Sequence, residues 1–559
     1  MTKIFHFLPS VIPALVLGIV TVFLLWGLSG QGMFRTHDGE IHIIRSIHFY
    51  NELQRGQFPV RMAPELAYGF GYSIFQFFYP LPYYCAALFQ FAGFSTVDSW
   101  KLMEVVVTCL SLWVFYRWMR CTFDKSAALV ATILFALVPF RVLTLYVTGQ
   151  IGGYFSLLCA PLIGWGIYKT ICTTRTRLGG ILITLGIFGI LTSHLLSAII
   201  FFLPLVVYTG VLLWRKFSWE KVLTILLWIF LGIGLSSFYV LPFLLEKSWV
   251  KLGHSILVNH RDHWTTLQQL IYSPWGYGYS NPGPGDDMSF QVGLALLVAW
   301  FMAILLLIIN KKKINILALS LTCVFAILFI LMLPVSEKAW DLIIPLQLLQ
   351  YPWRILAATA LVGAWLSGWT IHQLKGYPRY IVMIFLVALA VYNVRNYVKP
   401  WPLDWQTDQN YIDDTQAYYG PTDISWELMP ITAKRIPTQN PQTVLTTSTG
   451  LSVESLTKPP IGPVRITAEI LANQPTQLIF AIWDLPVWQI RVNDTISQKI
   501  READGTIGVS INSGISKVEV VLIRTPLQKI SDSISILSFI LLCILIFFPR
   551  KTKKLSLNF

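Results

Sequence analysis

Long apolar runs separated by short basic loops constrain this chain more than any other feature. A helix that crosses a membrane needs about 20 apolar residues. Hydrophobic residues make up 55% of the 559-residue chain and its mean hydropathy is +0.61, which excludes a soluble globular protein. We therefore predict a polytopic α-helical membrane protein with about twelve transmembrane helices, at 9–28, 100–118, 126–146, 151–170, 178–193, 195–214, 222–243, 289–309, 314–333, 353–373, 379–396 and 530–548.

The basic residues predict how these helices are oriented. If Lys3 is inside, the basic clusters at 117–125, 169–177, 215–221, 311–313, 375–379 and 550–554 all fall inside as well, as the positive-inside rule requires. Membrane orientation then accounts for the net charge of +14, and no nucleic-acid partner is implied. The first apolar run has no small-residue cleavage site after it, so we interpret it as a retained span. Both termini are expected in the cytoplasm.

The segments between the spans predict three domains. Residues 1–397 form the transmembrane module, with outer loops at 29–99 and 246–287. The run at 79–93 is predicted as a short interfacial helix, since a span there would place every later basic cluster outside. Alternating apolar and polar residues in 398–528 predict an extracytoplasmic β-rich domain. Residues 529–559 supply the last span and a basic cytoplasmic tail.

Chemistry, if present, is expected in the first outer loop, where acids, bases and histidines crowd together. Helical spacing from Gly39 to Arg55 directs Asp38, His42 and Arg45 toward a common space. Asp38 is also well placed as the N-cap of that helix. The catalytic and capping interpretations are compatible.

Glu40 and the nearby histidines have alternatives of their own. Glu40 supplies a second carboxylate for general base work or for a divalent metal, or it only complements the helix dipole. His37 and His42 are possible metal ligands, but no further ligands follow at fixed spacing, so solvated interfacial histidines are the simpler interpretation.

Basic residues at the outer ends of spans are candidates for binding substrate. Arg354, in the sequence LQYPWR, either grips phosphate oxygens or snorkels to the lipid headgroups. Arg61 and Arg141 are weaker candidates of the same kind. His194 lies between two spans, where it either binds substrate or caps a helical hairpin.

Five segments carry a family resemblance, and they read HDGEIHIIRSIHFYNELQRGQFPVRMAPELAYGFGYSIFQFFYPLPYYCAAL, LTSHLLSAI, LQYPWRIL, DISWELMP and DLPVWQIRVND. In this order they resemble the signature of the bacterial membrane protein family labelled 6-pyruvoyl-tetrahydropterin synthase-related domain. Nothing resembles the soluble pterin enzyme or its zinc histidines. That family is similar in turn to YfhO-type proteins and to the GT-C superfamily of glycosyltransferases.

The resemblance implies a GT-C-like fold and the transfer of a sugar from a polyprenyl-phosphate donor. Its acceptor would be a glycan, lipid or protein outside the plasma membrane of a bacterium. Asp38 matches the catalytic acid, with Glu40 and His42 tuning or positioning it, and transfer would invert the anomeric carbon. Substrate would be bound by Arg354, Tyr351, Arg61, His194 and Arg45. No cofactor is required, although a divalent metal is possible.

The chain also departs from the family pattern. An Arg-Gly pair followed four residues later by Glu is expected after the third span, and this chain has Thr148, Gly149 and Gly153 there. Two other classes of function are open from the sequence. These are a transporter or flippase of lipid-linked glycans, which would place charges midway through spans, and a non-catalytic protein of envelope assembly.

Overall fold

A computed structural model describes residues 2–253, 258–283, 285–401, 405–420, 426–439, 445–447, 453–457 and 464–547. The predicted basic tail at 550–554 lies outside these residues. The α-helices are α1 (Thr2–Leu25), α2 (Gly39–Gln54), α3 (Ile74–Phe77), α4 (Leu81–Phe91), α5 (Thr96–Thr122), α6 (Lys125–Ala136), α7 (Pro139–Leu143), α8 (Ile151–Cys172), α9 (Thr176–Ser193), α10 (Ser197–Arg215), α11 (Trp219–Leu245), α12 (Leu267–Ile271), α13 (Leu294–Ile309), α14 (Ile316–Ile330), α15 (Glu337–Leu342), α16 (Ile344–Gln347), α17 (Leu356–Gln373), α18 (Gly376–Val394), α19 (Asp408–Asp413), α20 (Thr415–Tyr419) and α21 (Pro526–Phe547).

The prediction of a polytopic helical membrane protein is confirmed. Within the described residues, 10 helices are long and apolar enough to cross a membrane, or up to 11 if a bent pair is one span. The bent pair joins Ile316–Ile330 to Pro334–Leu342 at 99°, and the helix Leu294–Ile309 has only 16 residues. The predicted spans at 289–309 and 314–333 are therefore shorter helices than expected.

The third predicted span is broken near its C-terminal end. It runs over Lys125–Thr148 but consists of α6, α7 and a π-helical turn at Thr144–Thr148. Pro139 begins α7, and a proline cannot donate the backbone hydrogen bond that would continue α6. This irregular end lies directly before the turn that holds the first outer loop.

The first outer loop contains the predicted helices α2 and α4, and also α3, which the sequence did not predict. Its chain is tied to the later part of the protein by backbone hydrogen bonds, such as Met33 with Gln406 and Tyr68 with Tyr419. The carboxylate of Asp408 accepts from the backbone N–H groups of Thr96 and Val97 at 2.6 and 2.9 Å. The loop is thus packed between the spans and residues 405–420.

Nine antiparallel strands form two sheets near the C-terminal end of the described chain. They are β1 (Leu445–Thr447), β2 (Val453–Thr457), β3 (Val464–Ala472), β4 (Thr476–Trp483), β5 (Trp488–Val492), β6 (Thr495–Ser497), β7 (Ile500–Arg501), β8 (Thr506–Ile511) and β9 (Gly514–Leu522). One sheet has the order β1-β4-β8-β7 and the other β2-β3-β9-β5-β6. Their alternating residues Leu478, Phe480, Val518 and Val520 are buried, which agrees with the predicted period of two.

Candidate active site

Thr36 caps α2, and Asp38 does not. Asp38 occupies the N-cap position, but its side chain makes no capping hydrogen bond. The Thr36 Oγ1 atom instead accepts from the backbone N–H of Gly39 at 2.9 Å. Asp38 is half-buried, and within the described part of the chain its carboxylate has no hydrogen bond or ion pair.

A glycine turn after the third span holds the Asp38 segment in place. The backbone N–H groups of His37 and Asp38 donate to the carbonyls of Val147 and Thr148 at 2.9 and 3.0 Å. Gly149 follows with φ +64°, and a Cβ there would lie 2.3 Å from Thr36 Oγ1. Only glycine fits that backbone and that approach. The Thr148-Gly149 pair thus positions Asp38.

Burial and nearby cations shift the pKa of Asp38 in opposite directions. Burial raises the pKa of Asp38 above its usual value, and the charges of Arg45, His37 and Arg354 lower it by less. A carboxylate with a raised pKa is a stronger base than an ordinary aspartate. Arg45 is buried, and its guanidinium carbon lies 4.2 Å above the Phe78 ring.

Arg354 contributes a cation with no acidic partner among the described residues. Its Nη1 donates to the Leu349 carbonyl at 2.8 Å and to Gln350 Oε1 at 3.1 Å, and its guanidinium lies 5.0 Å from the centre of the Tyr351 ring. The buried Nε atom has no partner. Gln350 has φ +64°, so the turn before the span is strained. A strained turn and an unused donor are features typical of a binding site.

His194 and Tyr79 belong to the same electrostatic neighbourhood. The ring centroids of Tyr79 and His194 are 6.1 Å apart, and His194 Nδ1 lies 2.7 Å from Ser197 Oγ. Burial, with the nearby charge of Arg354, lowers the pKa of His194 to about 3, so it is neutral under ordinary conditions. Burial also raises the pKa of Tyr79 well above its usual value, which keeps its hydroxyl protonated.

His42 lies in an aromatic layer beneath the site, which corrects the expectation of a solvated histidine. It is buried, its ring stacks on Trp100 at 5.4 Å, and its Nδ1 lies 2.8 Å from the Tyr83 hydroxyl. Tyr83 also interacts with Arg45 through a side-chain hydrogen bond. Burial holds the pKa of His42 well below its ordinary value. His42 thus reaches Arg45 through Tyr83.

The long loop at 246–287 reaches the site through His37. The ring of His37 stacks on Tyr279 at 4.2 Å, and its Nε2 lies 3.2 Å from the Tyr277 carbonyl. Tyr277 in turn donates its hydroxyl to the Lys399 carbonyl at 2.9 Å. The loop therefore covers the residue next to Asp38. His263 of the same loop contacts the Tyr351 ring at 4.7 Å.

Two sequence candidates lie away from this cluster. Glu40 faces Arg35, with 3.6 Å between Oε1 and Nε in an exposed ion pair. Arg61 is buried against the last span, where its Nη2 donates to Asp532 Oδ1 at 2.6 Å and to the Phe238 carbonyl at 2.9 Å. Both positions follow from contacts that helical spacing within the outer loop does not reveal.

The structure adds residues that sequence reasoning did not select. Thr36, Tyr79, Tyr277 and Tyr279 were not among the candidates. Thr36 had a local signal, because a threonine three positions before a backbone N–H often bonds to it. The tyrosines of the 246–287 loop had none, since their contact with His37 joins residues about 240 positions apart.

Trp483 and Trp488 of the β domain are both buried. Trp488 belongs to the core of that domain, whereas Trp483 stacks on Phe70 of the first outer loop at 4.7 Å. Within the described ranges, no three His, Cys, Asp or Glu side chains come together as a metal site would need.

Comparisons with known proteins give distant likenesses only. No family model matches the chain, and no curated protein does. The chain is similar to the cryo-EM structure of the arabinofuranosyltransferase AftD from mycobacteria, with 13% identity and a TM-score of 0.48 over 69% of this chain and 27% of that one. It is also similar to the oligosaccharyltransferase of Archaeoglobus fulgidus in the apo form, with 13% identity and a TM-score of 0.41 over 76% of this chain and 62% of that one.

The same values apply to the archaeal oligosaccharyltransferase AglB in complex with an inhibitory peptide and a dolichol-phosphate. The chain thus spans less than two thirds of the length of each of these proteins. Likenesses at this level do not establish membership of a family, so the family resemblance of the sequence stays a hypothesis.

Proposed function

We propose that the chain is a membrane glycosyltransferase that moves a sugar from a polyprenyl-phosphate donor to an acceptor on the outer face of a bacterial plasma membrane. One observation carries the proposal. Among the described residues, the half-buried carboxylate of Asp38 has no bonded partner, and the buried Nε atom of Arg354 has none either, while the charge of Arg354 acts on the Asp38 carboxyl. An unpaired acid and a cation near enough to act on it suit a reaction that takes up a proton and releases a phosphate.

Asp38 would act as the general base. Its carboxylate accepts the proton of the acceptor's hydroxyl or amine group as that group attacks the anomeric carbon of the donor sugar. The bond between the anomeric carbon and the phosphate oxygen breaks, and its electron pair leaves with the polyprenyl phosphate. A single base opposite the leaving phosphate gives inversion at that carbon.

Arg354 would bind the leaving phosphate. A guanidinium donates two parallel hydrogen bonds to phosphate oxygens, and a cation aimed at developing charge stabilises the transition state. The neutral His194 and the protonated Tyr79 would donate further hydrogen bonds. His42 is a positioning residue, because it is buried and reaches Arg45 only through Tyr83.

The membrane architecture suits such a substrate. The donor is itself a lipid, so its chain must be held beside the spans while its phosphate reaches the outer surface. The basic clusters between the spans favour an orientation with the Asp38 loop outside. The loop that contacts His37 would cover the site and exclude water.

Lipid-linked sugars in cells test the proposal. We expect a polyprenyl-phosphate sugar to accumulate when the gene is deleted, to fall on complementation with wild type, and to stay high with Arg354→Gln at equal expression. Loss of one donor to a developing charge slows such reactions about 100-fold. Mass spectrometry of extracted lipids reads the result and identifies the sugar. Equal levels in all strains would contradict the proposal.

A further inference from the structure

A polar cavity lies at the C-terminal end of α2, where the outer loop, the β domain and the last span meet. Its volume is about 220 Å³. The helix α2 has 16 residues and is therefore about 24 Å long, which separates this cavity from Asp38. Its charged and amide lining residues are Arg61, Arg465, Arg524, Gln57, Gln76 and Gln528.

The described wall of this cavity carries three guanidinium groups and no carboxylate. The carboxylates that hold the arginines lie behind the wall. Asp532 accepts from Arg61 at 2.6 Å and from Arg524 at 3.2 Å, while Glu52 binds Arg465 through both of its oxygens. Arginines therefore line the cavity from three separate segments of the chain.

The amide side chains of the wall are held in the same way. Gln76 and Gln528 both donate to Glu246 Oε2, at 2.7 and 3.1 Å, and Thr525 donates to Glu246 Oε1 at 2.6 Å. The oxygens of Glu246 are thus occupied by neutral donors behind the wall. The wall is preorganised, so a ligand would not have to order it.

The three arginines differ in exposure and in how many of their nitrogens are bonded. Among the described residues, the Arg61 side chain, which is 9% exposed, donates through its Nη2 atom alone. The Arg465 side chain is 10% exposed, and its buried Nε atom has no partner. Arg524 is 49% exposed and forms the accessible rim. Three cations that line one cavity without a carboxylate in its described wall favour an anion with several acceptor oxygens, which describes a phosphate group.

The cavity lies at the end of two apolar spans. Arg524 comes directly before α21, and Arg61 contacts the carbonyl of Phe238 in α11. Both helices pack together and expose large apolar side chains, such as Phe230 and Leu537. A lipid whose headgroup entered the cavity would lay its acyl chains along these helices. Phe58, which is 64% exposed, lies at the mouth.

We propose that this cavity binds a phosphate group, supplied by the headgroup of an anionic phospholipid. The bound lipid would fasten the β domain to the outer end of the last span. This binding does not depend on glycosyl transfer, and its test reads binding alone.

Native mass spectrometry of the delipidated full-length protein tests the proposal. We expect the protein to retain phosphatidylglycerol in preference to zwitterionic phosphatidylcholine. Arg524→Gln should weaken retention at least about tenfold, since a hydrogen bond to a charged group contributes about 1.5–3 kcal/mol. Arg524→Lys keeps the charge and should restore part of the retention. Inorganic phosphate is added in a parallel thermal-unfolding series to detect a free anion as the ligand.

Arg261→Gln is the matched control, because the Arg261 side chain is also 49% exposed and bonded to acids but lies outside the cavity. Loss of lipid in Arg524→Gln alone supports a lipid headgroup. If inorganic phosphate stabilises wild type but not Arg524→Gln, and the protein shows no preference between the lipids, the cavity is a phosphate site. The ligand is then a free anion and not a lipid headgroup. Equal behaviour of wild type, Arg524→Gln and Arg261→Gln overturns the proposal.

Discussion

The carboxylates near the two ends of α2 differ in whether they have bonded partners. At its C-terminal end Glu52 is 1% exposed and accepts hydrogen bonds from Arg55, Arg465 and Gln57. At its N-terminal end the Asp38 carboxylate has no partner in the described chain, although Arg45 and Arg354 act on its charge. Glu52 is therefore fully paired, whereas Asp38 is unpaired among the described residues.

This difference separates the part of the helix that holds the fold from the part available for chemistry. A buried carboxylate that is fully paired fixes the segments that pair with it, and breaking such a pair is costly. A carboxylate that is partly buried and unpaired costs the protein free energy. Such a cost is typical of functional sites, where another molecule completes the interactions.

The largest effect on stability is expected at the C-terminal end of α2, where Glu52 is paired. Glu52→Gln leaves the nearly buried guanidinium of Arg465 without its carboxylate, so we expect the free energy of unfolding to fall by about 3 kcal/mol. Thermal unfolding of the purified protein in detergent measures the change. Glu337→Gln is the control, because its ion pair with Arg261 is half exposed and contributes roughly 0.5 kcal/mol. Equal unfolding temperatures for the two variants would contradict the comparison.

An intermediate effect is expected from the true caps of helices. Thr36→Val removes the oxygen that accepts from Gly39 and should cost about 1 kcal/mol. Asp414→Ala should cost a similar amount, since Asp414 is an N-cap whose side chain accepts from the Ala417 N–H at 3.0 Å. Asp38→Ala should cost less than either. The same unfolding measurement ranks the three, and a large loss in Asp38→Ala would show that Asp38 is a cap after all.

Local patterns in the sequence predicted the elements better than the contacts between them. The helical spacing from Gly39 predicted α2, and alternation of apolar residues predicted strands such as β4. The spacing could not tell which of two nearby oxygens, on Thr36 or Asp38, would cap the helix. That choice depends on the turn at Gly149, which lies more than a hundred positions away.

The charged candidates show the same limit of prediction from the sequence. Arg61 stands in the same loop as Asp38, yet its ion pair with Asp532 joins residues 471 positions apart. Glu52 of the same helix binds Arg465 of the β domain. Helical periodicity predicts a face and not the partner that packs on it. Arg354 had a useful signal because it ends a loop at the start of an apolar span.

The smallest effect on stability concerns Asp38 itself and depends on pH. Burial raises the pKa of Asp38 above the usual 3.8, so the folded protein binds this proton more tightly than the unfolded chain does. That contribution to stability is present below the unfolded value and is lost as the pH rises through the folded pKa. Asp38→Asn should therefore unfold at the same or a higher temperature than wild type at neutral pH, with the gap closing toward pH 3.8. A lower unfolding temperature at neutral pH would contradict this.

Sugar transfer by purified Asp38→Asn tests the central claim most directly. Wild type and variant are placed in liposomes with the lipid-linked sugar that accumulates in the deletion strain and with membrane extract as acceptor, and release of polyprenyl phosphate is followed. Asp414→Asn serves as a control. We predict release by wild type and by the control, and at least about 100-fold slower release by Asp38→Asn at an unfolding temperature no lower than that of wild type. Equal release by Asp38→Asn and wild type, or no release by either, would contradict the account.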